Sequence, residues 1–160
     1  MQTTAVHAEM LQLVTFKLNK QKYAVDILKV QEINNMKEIT TIPNAPPFLE
    51  GAINLRGKVI PVLNLGRKFG FAEAGANGAS KIVIMDIRGV IMGIIVDSVS
   101  DVLRILRDVV EPPPPVSSSV SREFIAGIAK LDEGLVILLD MDRLLDEAEH
   151  TAVFGGNKVA

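Results

Sequence analysis

Arg56 is the side chain with the most to offer a partner. It sits in the stretch Gly51-Ala-Ile-Asn-Leu-Arg-Gly-Lys-Val-Ile-Pro-Val-Leu-Asn-Leu65. Its permanently charged, planar guanidinium can grip a carboxylate or carbonyls through paired hydrogen bonds. The plain alternative for such a residue is a solvated turn. Glu32, within Val30-Gln31-Glu32-Ile33, is a second charged candidate, although taken alone it reads as a solvated strand residue. Catalytic groups are scarcer. The only histidines, His7 and His150, fall in the tails, outside the expected fold, which leaves no histidine base and no His-rich metal site. Cysteine is absent, so disulfides, thiolate chemistry and Cys-ligated zinc are excluded. No Gly-x-Ser-x-Gly elbow occurs. Gly75-Ala-Asn-Gly-Ala-Ser-Lys81 lacks the spacing of a phosphate loop. Asp140 and Asp142 stand at a strand-to-helix junction, where a carboxylate ordinarily caps backbone amides. The expectation is a protein without catalysis, cofactor or metal.

Composition narrows the class further. The chain has 160 residues, 48% apolar and only 4% aromatic with no Trp, so Ile, Val and Leu must build the core and strands are favoured. A net charge of −2 offers no basic face for nucleic acid. Met1 to Glu9 has neither the basic nor the apolar region of a signal peptide. The most apolar run, Val90 to Val96, is far shorter than the roughly 18–20 residues a membrane helix needs. The chain therefore reads as cytoplasmic, without membrane insertion.

The elements that would position Arg56 and Glu32 are short strands. Leu11–Leu18 alternates apolar and polar residues, Asn19-Lys20-Gln21-Lys22 turns, and Tyr23–Ile27 returns. Val30–Ile33 continues extended, and Ile39–Ile42 is a further short strand before Pro43-Asn-Ala-Pro-Pro47, which must run across the surface. The 51–65 stretch is a strand–turn–strand with Gly57 supplying a positive φ, and Asn64–Gly70 makes a short helical turn. Ala72–Ser80 reads as a flexible connector. Ile82–Met85, the Arg88-Gly89 turn, Val90–Val96 and Val99–Val102 repeat the order. Pro112–Pro115 is a stiff connector, Gly127–Met141 another strand–turn–strand, and Asp142–Ala148 the best helix candidate. Met85, Met92 and Met141 read as core filler. Residues 1–10 and 151–160 are expected to be flexible tails.

The repetition is an internal duplication. Sliding Phe48–Arg67 by 76 positions onto Phe124–Arg143 pairs Phe48 with Phe124, Gly51 with Gly127, Leu55 with Leu131 and Arg67 with Arg143 without a gap. Val25-Asp26 is matched to Val96-Asp97, and after a two-residue gap Val30–Ile33 to Val99–Val102. Each half holds about five strands, and so small a sheet removes its edges by curling. The expectation is an all-β chain of two similar small five-stranded barrels packed side by side, intertwined within a single domain over 11–148 and spanning about 11–75 and 81–148, with a short C-terminal helix. At the two hairpin tips Arg56 aligns with Asp132, so the scaffold repeats and its charge does not.

Together these motifs resemble the chemotaxis coupling proteins, the CheW-like adaptors, over residues 11–148. They are Val30-Gln-Glu-Ile33, Ile39-Thr-Thr-Ile-Pro-Asn-Ala-Pro-Pro-Phe-Leu-Glu-Gly51, Ile53-Asn-Leu-Arg-Gly-Lys-Val-Ile-Pro-Val62, Val96-Asp-Ser-Val-Ser-Asp-Val102 and Gly127-Ile-Ala-Lys-Leu-Asp-Glu-Gly-Leu-Val136. At Asn64-Leu65-Gly66 many members have Asp-Leu-Arg instead. The resemblance implies barrels of the Src-homology-3 type and a non-catalytic role. It would join the cytoplasmic tips of chemoreceptors to the histidine kinase CheA, whose regulatory domain shares the fold. It implies that Val30, Glu32 and Arg56 face the receptor in a groove between the barrels, with Gly51 shaping the backbone. The kinase side falls around Val96, Val99 and Val102. Recruitment to membrane-associated receptor arrays follows from the same likeness.

Overall fold

The computed structural model describes residues 9–71, 78–113 and 124–154. His7, most of the Ala72–Ser80 connector, Pro114 and Pro115 of the tetraproline, and Gly155-Gly156 lie outside them. Eleven strands follow in order: β1 (Met10–Leu18), β2 (Gln21–Asp26), β3 (Val30–Asn35), β4 (Leu49–Leu55), β5 (Lys58–Asn64), β6 (Lys81–Ile87), β7 (Val90–Val96), β8 (Ser98–Leu106), β9 (Val110–Glu111), β10 (Ile125–Leu131) and β11 (Gly134–Leu139). Helix α1 (Leu65–Lys68) follows β5, and α2 (Glu147–Phe154) ends the described chain.

Three hairpins turn through two residues of positive φ: Asn19-Lys20 (50° and 71°), Arg56-Gly57 (51° and 86°) and Arg88-Gly89 (54° and 83°). Turns with both central residues left-handed match the twist of the flanking strands. Two are braced alike, the Asn54 side-chain oxygen accepting the Gly57 N–H at 2.8 Å and that of Asp86 the Gly89 N–H at 3.0 Å.

The strands form two sheets, β8-β1-β2-β11-β10-β9 and β3-β6-β7-β5-β4. Each curls into a small barrel, and the protein is two such barrels. The first is filled by Leu13, Ala24, Ile105, Ala129, Val136 and Leu138, and the second by Ile53, Leu55, Ile60, Val62, Ile82, Ile84 and Ile95. Between them lies a third and larger core, where Val14, Phe16, Tyr23 and Val25 meet Val83, Met85, Met92 and Ile94. The strands β1, β2, β6 and β7 are thus covered on both faces, which explains the unbroken apolar run of Val90–Val96. Met85, Met92 and Met141 are all buried, as filler should be.

Sheet membership does not follow the division at 75–81. The second barrel is one continuous stretch, β3 to β7, whereas the first combines β1 and β2 with β8 to β11. The halves have exchanged equivalent parts: β3 pairs with β6 and β8 with β1, and the parallel contacts β5–β7 and β11–β2 also cross between halves. The register also corrects the early part of the repeat. A constant offset of 69 carries Leu18 to Ile87, Phe16 to Met85 and Val30 to Val99, so Val25-Asp26 corresponds to Ile94-Ile95 and not to Val96-Asp97.

Other expectations fail locally. Ile39–Ile42 is not a strand; only Thr40 bridges to Ala52, with both hydrogen bonds at 2.9 Å. The helix expected at Asp142–Ala148 is a 3₁₀ turn over Met141–Arg143, capped by the Asp140 carboxylate, and then α2 starting five residues late. Asp146 and Glu149 fix that start by a reciprocal capping box, Glu149 N–H to Asp146 Oδ1 at 2.7 Å and Asp146 N–H to Glu149 Oε1 at 3.0 Å. Hence α2 reaches into the expected tail as far as Phe154, and His150 belongs to a helix. Strand β1 likewise begins within the other tail, at Met10. Glu149 also accepts from the Lys68 ammonium at 3.0 Å, and that ammonium lies over the rings of the repeat-related Phe48 and Phe124 (5.5 and 5.6 Å). No described helix is long and apolar enough to cross a membrane.

Candidate functional site

Strands β3 and β4 are the opposite edges of the second sheet, so a contact between their ends requires the sheet to have curled. Arg56, at the tip of the β4–β5 hairpin, makes that contact with Glu32 on β3. One guanidinium nitrogen lies 3.3 Å from Glu32 Oε1, and the other bonds Oε2. The hydrogen bond from Arg56 holds the Glu32 carboxyl below its ordinary range, and Glu32 in turn raises Arg56. Both groups therefore stay charged throughout the neutral range. The Arg56 side chain is 70% exposed and that of Glu32 28%, so the pair stands at the surface.

The duplicate supplies an internal control. By the offset of 69, Glu32 corresponds to Asp101 on β8, and each lies at a bulge, in β3–β6 and in β8–β1. Asp101 faces Thr15, whose hydroxyl lies 2.6 Å from Asp101 Oδ1 and 2.9 Å from its carbonyl and accepts the Asp101 N–H at 3.1 Å. The counterpart of Thr15 is Ile84, which has no polar atom to offer Glu32. One acid stitches its bulge closed, and the other is released outward to Arg56. Thr15→Val should thus lower stability by about 1–2 kcal/mol, read as a fall of roughly 2–8 °C in melting temperature. A melting curve unchanged by that substitution would show that the bulge needs no hydroxyl.

The other expected residues divide into contact and support. Val30 is half-buried against the central core at the start of β3, two positions from Glu32. Gly51 is buried opposite Val62, at a bulge that follows Leu49 on the same strand, with φ +152°. A Cβ there would come within 2.1 Å of the Thr40 carbonyl oxygen. Its equivalent Gly127 sits at a matching bulge, where a Cβ would meet Val110 Cγ1 at 2.5 Å. Gly51, buried and without a side chain, shapes the backbone at this bulge. Val96 has no exposed surface at all, Val99 is half-buried, and Val102 is 54% exposed on the edge strand β8. Of these three, only Val102 presents a substantial side chain to solvent.

Sequence reasoning missed a second cluster. Asp142 accepts from the Lys29 ammonium at 2.8 Å and from the Arg88 N–H at 3.1 Å, tying the end of the first barrel to the β2–β3 connection and to the β6–β7 turn. The hydrogen bond to Lys29 holds the Asp142 carboxyl down. The nearest signal in the sequence is the Asp140/Asp142 pair, of which Asp140 does cap, accepting the Asp142 N–H at 3.1 Å. Among the described residues no group of three or more His, Asp or Glu side chains is placed to hold a metal ion.

Known proteins resemble this chain over most of its length. Residues 12–149 match the family model described as the CheW-like domain. The chain is 33% identical to the chemotaxis protein CheW of Klebsiella aerogenes, covering 89% of this chain and 86% of that one. It is 34% identical to the protein of the same name from Treponema pallidum, over 91% and 88%. Among solved structures, the scaffolding protein TtCheW from Thermoanaerobacter tengcongensis superposes with a TM-score of 0.82 at 39% identity, covering 88% of this chain and 96% of its own. The family match over residues 12–149, the relatives at 33% and 34% identity and the shared fold place this chain in the CheW-like family.

Proposed function

We propose that the protein is a non-catalytic chemotaxis adaptor that couples the cytoplasmic tips of chemoreceptors to the regulatory domain of the histidine kinase CheA. It would work in the cytoplasm at membrane-associated receptor arrays. Family membership supports the reading, and one observation carries it. The Glu32–Arg56 pair is exposed and preorganised, at a place where the duplicate of the same scaffold manages with Asp101–Thr15 and Asp132. Receptor tips are helical hairpins, and a helix docks by laying an apolar stripe into a groove. Val30 and its apolar neighbours supply burial for that stripe. Glu32 holds the guanidinium in one orientation, so its remaining donors are fixed before the partner arrives and less freedom is lost on binding. Gly51 sets the course of β4. On the kinase side, the edge strand β8 offers Val102 with Val99 beside it, while Val96 supports them from inside. Co-sedimentation with receptor cytoplasmic fragments and CheA tests the proposal. The wild type should be retained with both, and Arg56→Ala should lose about tenfold in receptor affinity while keeping CheA. Retention with neither partner would overturn the adaptor reading.

A further inference from the structure

The two barrels are not equally full. At repeat-related positions, Ile53 of the second barrel corresponds to Ala129 of the first, Ile84 to Thr15, and Ile95 to Asp26. Where Asp26 replaces the isoleucine, the mouth of the first barrel opens into a cleft of about 550 Å³, floored by Leu13, Ala24 and Leu138. Under-filled apolar space costs stability, and the chain's own other half contains the filled solution. Two features bear on what the cleft takes. Leu28, at its lip, is 87% exposed, the highest value among the described large apolar residues, and Met10 beside it is also exposed. Apolar surface spreading outward from a pocket is the anatomy of an anchor site for a polypeptide, whose flanking contacts exclude water around the buried side chain. The charges at the rim are unequal. Arg107 is bonded to Glu9 and Lys29 to Asp142, whereas Asp26 gives one oxygen to the Leu28 N–H at 2.9 Å and is in no ion pair among the described residues.

We propose that the mouth of the first barrel is a docking site for a partner polypeptide that buries a large aliphatic side chain on Leu13, Ala24 and Leu138 and places a basic residue against Asp26. The site shares no residue with the Glu32–Arg56 pair and does not depend on the receptor reading. Methyl-resolved NMR of the full chain, titrated with the blocked tetrapeptide Arg-Leu-Leu-Arg, tests it. Saturable shifts of the Leu13, Ala24 and Leu138 methyls are expected at millimolar peptide, with Glu-Leu-Leu-Glu and Arg-Ala-Ala-Arg each binding about tenfold more weakly or worse. Asp26→Asn should erase the preference for the basic over the acidic peptide. Ala24→Leu should fill the floor and abolish the shifts. If that variant fails to fold, Ala126→Phe at the exposed rim obstructs the same opening. Equal shifts with the basic and acidic peptides, unchanged binding to the filled cleft, or no shift at about 10 mM peptide would overturn the proposal.

Discussion

Gly51→Ala melts about 10 °C or more below the wild type, whereas Gly57→Ala melts only about 2–4 °C below it. Both glycines have positive φ, +152° and +86°, so each alanine carries backbone strain, worth about 1 kcal/mol for a single left-handed residue. The difference lies in what surrounds them. Nothing lies within 4 Å of a Cβ on Gly57. A Cβ on Gly51 meets the Thr40 carbonyl oxygen at 2.1 Å and Ile39 Cγ2 at 2.8 Å, and the oxygen is backbone that cannot swing aside. Relief requires breaking the two Thr40–Ala52 hydrogen bonds, which bridge the segment after β3 to the edge strand β4. Strain and the lost bridge together come to about 3–5 kcal/mol, and each kcal/mol shifts the melting temperature of a chain this size by roughly 2–4 °C. Calorimetry of the two variants side by side settles the matter. Melting within a few degrees of each other would mean that the bulge yields and that Gly51 is not set by its neighbours.

Arg56→Glu abolishes receptor retention, a loss of about 100-fold in affinity, while melting temperature and CheA retention stay near those of the wild type. The reversal removes the guanidinium and sets a second carboxylate against Glu32, so both the donors and their support are lost. The scaffold tolerates an acid there, since the repeat has Asp132 at its own hairpin tip. The double variant Glu32→Arg/Arg56→Glu separates two explanations. It can rebuild an ion pair with the partners exchanged, but it puts the guanidinium on β3 instead of at the hairpin tip. Receptor binding should remain absent. Recovery in the double variant would show that the pair matters only for holding β3 to the hairpin.

The parts of this fold legible in sequence are those written in local chemistry. Gly57, Gly89 and the residues before them announce two-residue turns, and the repeat at offset 76 is clear because Gly51 and Gly127 each make room for another backbone. The partition of strands between sheets is not legible. Strands such as β7, buried on both faces, have no alternation to say which neighbour each face meets, so the exchange between halves leaves no local trace. The same strands misaligned Val25 with Val96, because one apolar β-branched residue resembles another. Helix α2 had a readable signal, Asp146-Glu-Ala-Glu149, which the preceding Leu144-Leu145 obscured by suggesting an earlier start. Both leucines are core residues of the connection. At the candidate site, the types of Arg56 and Glu32 were evident and their meeting was not, since it depends on sheet closure between residues 24 apart.

The insertion of the second barrel's sequence between β2 and β8 of the first bears on how the chain comes off the ribosome. Barrel two is a single run, β3 to β7, and all its partners exist once β7 has emerged. The β1–β2 hairpin is synthesised before that run and completed after it, because its neighbours β8 and β11 lie on the far side. During elongation, Phe16, Tyr23 and Val25 can be covered by the completed second barrel through the central core, while Leu13 and Ala24 wait uncovered for β11. The expected order of events is barrel two, then docking of the early hairpin, then closure of barrel one. A nascent chain stalled between β7 and β8 should therefore resist protease over the strands β3 to β7 while β1 and β2 are still cut, so the hairpin made before barrel two becomes safe after it.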